Sequence, residues 1–128
     1  MHPNRITKIA AALHVGLVGA AAYYTTRVNN HATLSEISAK ELTAICGMAL
    51  LPVLSAWIGL QLARSSASRW LLAIGQVAAL SLFAATFVLV LRSVEPMAPL
   101  LLFLVSLWLA VGLLVLLFVV WIVGRQGQ

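Results

Sequence analysis

Acidic side chains are almost missing from this chain. Glu36, Glu41 and Glu95 are the three among 128 residues, the basic residues number eight, and charged residues together make up 9%. A water-soluble domain carries about a quarter. So few charges could not cover a soluble surface, and a hydrophobic content of 62% with a mean hydropathy of +1.05 puts the chain in the membrane class. The single cysteine, Cys46, excludes an intrachain disulfide and reads as a small apolar filler. No H-E-x-x-H, C-x-x-C or glycine-rich phosphate loop occurs, and no nucleophile is spaced to meet a base, so the sequence points to no catalytic residue, metal site or cofactor. No carboxylate lies within an apolar segment, which removes the usual handle for proton-coupled transport.

What is present is long apolar runs. About 20 apolar residues in a helix cross a bilayer. Residues 6–26, 42–63, 70–91 and 97–124 each qualify. Unbroken runs exclude the alternating pattern of a barrel, and only helices or barrels satisfy their backbone in lipid. The expected fold is an all-α integral membrane protein, a four-transmembrane-helix bundle forming one domain over 1–128. The first run, in RITKIAAALHVGLVGAAAYY, has the basic start and small residues of a secretory leader. Its apolar part continues through Tyr23 and Tyr24, so a permanent helix is expected.

The connections differ in character. Residues 27–41 form the long polar loop, in which Thr33-Leu-Ser-Glu36 fits a capping box for helix 2. Arg64-Ser-Ser-Ala-Ser-Arg69 is a short basic turn. Pro96 and Pro99 fit the start of helix 4. Lys and Arg orient the bundle. With the N-terminus inside, Arg5, Lys8, Arg64, Arg69 and Arg125 are inner, while Arg27, Lys40 and Arg92 are outer. Both termini are therefore expected in the cytoplasm, with the chain in a bacterial inner membrane. These basic residues flank apolar segments singly, as helix anchors do, so no nucleic-acid partner is expected.

Membrane helices associate through small residues and shared polar groups. Helix 1 carries Ala12-x3-Gly16-x3-Ala20 with Gly19 beside it. At about 100° per residue, His14 points away from that stripe, so helix 1 has two packable faces. Helix 2 offers Ser55-x3-Gly59-x3-Ala63, with Pro52 expected to kink it. Helix 3 shows Gly75, Ala78 and Ala79, with Gln76 on the border. Helix 4 is bulky all round, as expected of a helix facing lipid or packing through large side chains.

His14 and Gln76 are the candidate functional polar residues. Each could be a neutral interhelical hydrogen-bonding group or could line a pathway. A haem held by two histidines of one chain would need a second intramembrane histidine, and His2 and His31 lie in polar segments. His31 with the three glutamates could gather a cation, without the spacing of a metal signature.

Gly47-Met-Ala-Leu-Leu-Pro52 and Gly75-Gln76 resemble stretches of ATP synthase protein I, a small four-span assembly factor. That family carries an acid after the helix 3 glycine and a basic residue shortly beyond. Here Gln76 and Ala79 stand there. The residues themselves favour a non-enzymatic membrane protein acting by helix packing against lipid-embedded partners or its own copies, as an accessory or assembly subunit or a homo-oligomer. The alternatives are a small oligomeric channel or transporter, and an anchor subunit contacting quinone or haem.

Overall fold

A computed structural model describes residues 2–24, 39–92 and 98–126, without the side chains of 39–42, 44, 98–100 and 126. The described chain is all-helical, with four helices long and apolar enough to cross a membrane. They are α1 (Pro3–Tyr23), α2 (Ala39–Leu62), α3 (Ser66–Arg92) and α4 (Ala98–Gln126). The expected capping box at Thr33–Glu36 lies outside the described residues.

Both α1 and α3 start earlier than their apolar runs, and capping explains each. At the start of α1 the His2 Nδ1 accepts from the Asn4 amide at 3.3 Å, and Pro3 occupies the first turn, where a missing N–H costs nothing. At α3, Ser65 and Ser68 cap each other. The Ser68 amide donates to Ser65 Oγ at 3.2 Å, and the Ser65 amide donates to Ser68 Oγ at 3.0 Å. This is the reciprocal logic of a capping box with serine at both ends. The helix therefore begins at Ser66, four residues before the apolar run.

The helices alternate in direction. Val18 and Ala21 of α1 pack with Phe83 and Val90 of α3 and Leu102 of α4, while Ala63, Leu72 and Val120 form a second cluster at the other end. Hence α1 parallels α3, and α2 parallels α4. α1 packs on α2 and α3, α4 packs on the same two, and α1 and α4 occupy opposite corners. This alternation brings Arg5, Lys8, Arg64, Arg69 and Arg125 to one end, where Trp70 and Trp121 are also exposed. Arg125 stacks over Trp121 with its guanidinium carbon 5.6 Å from the ring centre.

At that end two backbones approach closely. A Cβ added to Gly124 would lie 2.7 Å from the Leu62 carbonyl oxygen and 3.2 Å from the Arg64 amide nitrogen. The Arg69 Nε also donates to the Ala63 carbonyl at 3.3 Å, satisfying an orphan acceptor at the end of α2. The outer surface of the bundle is apolar, and α4 is the most open helix. Only 11% of its span is buried, against 33% for α1 and α3. Trp108, Leu114 and Phe118 all project from it.

Candidate functional site

Thr7, His14, Ser55, Gln76 and Thr86 of the spans turn inward. Gln76 of α3 is 1% exposed, and its Nε2 donates to Ser55 Oγ of α2 at 2.9 Å. The Ser55 hydroxyl in turn donates to the Pro52 carbonyl at 3.0 Å. This relay joins α3 to α2 at mid-bundle. It uses the carbonyl of Pro52, which lies inside the helix α2.

His14 of α1 is 4% exposed, and its ring sits 5.2 Å from that of Phe83 at a tilt of 43°. The chain's own α2 and α3 thus cover the His14 face of α1. The contact with Phe83 also sets the register of α1 on α3. Seven residues earlier on each helix, about 10 Å along the axis, Thr7 comes level with Gln76. Both are fully enclosed, yet Thr7 Oγ1, Gln76 Oε1 and His14 Nδ1 have no hydrogen-bond partner. Thr7 carries no sequence signal of its own; its depth follows only from sharing a face with His14.

The small-residue stripes divide sharply. Ser55, Gly59 and Ala63 are buried, as are Ala79 and Pro52, and Gly75 is half-buried. A Cβ on Gly59 would meet Leu72 Cδ1 at 2.6 Å and Leu117 Cδ2 at 3.2 Å, and one on Gly75 would run into the Leu116 side chain. Ala12, Gly16, Gly19 and Ala20 are exposed instead, and a Cβ on either glycine would meet nothing within 4 Å. Within one chain, then, α1 packs through a single face. The polar face wins because an imidazole and a hydroxyl facing hydrocarbon would cost a few kcal/mol, more than close packing of a few small side chains returns.

The open stripe forms one wall of a groove. Ala12, Leu13, Gly16 and Leu17 of α1 face Leu80, Ser81 and Ala84 of α3 across a volume of about 550 Å³. The Ser81 hydroxyl is turned back onto the Val77 carbonyl at 2.8 Å, which leaves the groove apolar.

Cys46 is free and exposed. Among the described residues no three His, Cys, Asp or Glu side chains come together. The side chains of His31, Glu36, Glu41 and Glu95 lie outside the described residues. The chain matches no protein-family model, no curated protein and no solved structure. The likeness to ATP synthase protein I therefore rests on the quoted residues of α2 and α3 alone.

Proposed function

We propose that this is a small non-enzymatic integral membrane protein that acts by helix packing, as an accessory or assembly subunit of a larger membrane complex or as a homo-oligomer. The observation that carries the reading is the unfilled Ala12–Gly16–Ala20 face with its groove against α3. Small residues in lipid let a second backbone approach closely, and lipid chains gain little from such a surface. α4 already spends its Gly124 side on α2, and the surface it leaves exposed is bulky, with Trp108, Leu114 and Phe118, which suits lipid better than a second backbone. Five basic residues and two tryptophans at one end support an orientation with both termini in the cytoplasm, in a bacterial inner membrane.

The channel reading draws on His14 and Gln76. Both are enclosed within a single bundle, and the space beside His14 amounts to about 10 Å³. A conducting path through one chain would need far more room than that, so the packing reading is preferred. The test is purification in mild detergent with the mass of the particle and every co-purifying chain determined. A stable complex, with itself or with another membrane protein, is expected. A monomer that carries no partner from native membranes would refute the reading.

A further inference from the structure

The polar contacts around His14 are incomplete in a way that specifies a ligand. His14 Nδ1 is enclosed and has no hydrogen-bond partner. In either tautomer that nitrogen is a donor or an acceptor that requires one. His14 lines a cavity at the meeting point of three helices, together with Met48 and Pro52 of α2 and Ser106, Leu109 and Leu113 of α4. Pro52 has no N–H, so the Met48 carbonyl one turn before it lacks the donor that an α-helix would supply. Ser106 adds a hydroxyl from the opposite side. The residues that line the cavity therefore carry an imidazole, a carbonyl without its helical donor and a hydroxyl, each on a different helix.

Its volume is about 10 Å³. A single water needs about 10–15 Å³ and two to four polar partners. From this match of size and chemistry we propose that the cavity is a binding site for one structural water, bonded to His14 Nδ1, the Met48 carbonyl and the Ser106 hydroxyl. The water ties α1 to α4, the two helices at opposite corners of the bundle, and holds both on α2. His14 then acts as a fixed end of a bridge across the bundle centre. This site is internal and independent of the packing face proposed above. A monomer without partners would still hold the water.

The experiment is water-to-protein magnetisation transfer in nitrogen-15 solid-state NMR, on the full chain in bilayers. With His2→Gln and His31→Gln as background, His14 is the sole imidazole. The proposal expects its ring nitrogen to receive magnetisation from water. In Ser106→Val the methyls fill the cavity and the transfer should be lost. In Pro52→Ala the Met48 carbonyl regains its helical donor and the transfer should weaken. No transfer to His14 in the background protein overturns the site. So does transfer that persists undiminished in both variants, since the water would then sit elsewhere. If one variant fails to give a folded spectrum, the other and the background protein still decide.

Discussion

The two faces of α1 are made from the same kinds of residue and meet opposite fates. One face holds Thr7, Ala10, Ala11, His14, Val18 and Ala21, and every one is buried. The other holds Ala12, Gly16, Gly19 and Ala20, and every one is exposed. Alanine is common to both, so side-chain size does not separate them. The difference is the presence of groups that cannot be left in hydrocarbon. An amphipathic soluble helix buries its apolar face because water surrounds the protein; this helix buries its polar one because lipid does. What remains outside is a surface suited to a second helix and to little else.

The glycines give the sharpest way to break that comparison, because they divide into crowded and open positions. Gly124→Leu should have the largest effect. Its added carbons meet the backbone of Leu62 and Arg64, which cannot rotate away, so the cost should reach or exceed the upper end of the usual overpacking range, about 3 kcal/mol. Thermal unfolding in detergent should register it as a failure to hold the closed bundle. Gly59→Leu and Gly75→Leu press on the ends of Leu72, Leu117 and Leu116, which can shift, so about 1–3 kcal/mol is expected. Gly16→Leu should leave the stability of the single bundle unchanged. Equal losses at Gly16 and Gly124 would mean that the open face is not open.

Smaller effects sharpen the account of the polar face. Gln76→Leu removes the bond to Ser55 and should cost about 0.6–2 kcal/mol, the range measured for interhelical hydrogen bonds in membranes. Thr7→Val deletes a hydroxyl that has no partner while keeping its shape, so unfolding should be unchanged or slightly harder. A marked loss on Thr7→Val would reveal that Thr7 and Gln76, level with each other on α1 and α3, are bonded.

Much of this was readable from residue types. Long apolar runs announce four helices by length alone, and a stripe such as Ser55-x3-Gly59-x3-Ala63 announces a contact because few other patterns permit one. The choice between the two faces of α1 was not readable, since each satisfies a rule for membrane packing and only the assembled bundle ranks them. Helix starts were missed where capping is unusual: Ser65 and Ser68 lack the acidic partner that makes a capping box recognisable. The depth of Gly124 was invisible too. It ends a run of bulky residues with no small residue one turn before it, and its role arises from a contact with a turn some 60 residues earlier in the chain.

Orientation is the next check. Single cysteines placed at Asn30 and Ser66 in a Cys46→Ser background should label from opposite sides of the membrane, Asn30 from outside. Labelling of Ser66 from outside would reverse the assignment of the basic end to the cytoplasm.

The claim that matters most is that the Gly16 face of α1 meets another protein helix. The direct measurement is site-specific crosslinking in native membranes, again with Cys46→Ser, comparing a photoreactive residue at Ala12 or Ala20 with one at Leu114 on α4. The account predicts discrete protein adducts from Ala12 and Ala20, lost when Gly16 is also changed to Leu, and only lipid adducts from Leu114. Protein adducts from Leu114 with none from Ala12 or Ala20 would contradict it, and would make α4 the face that binds.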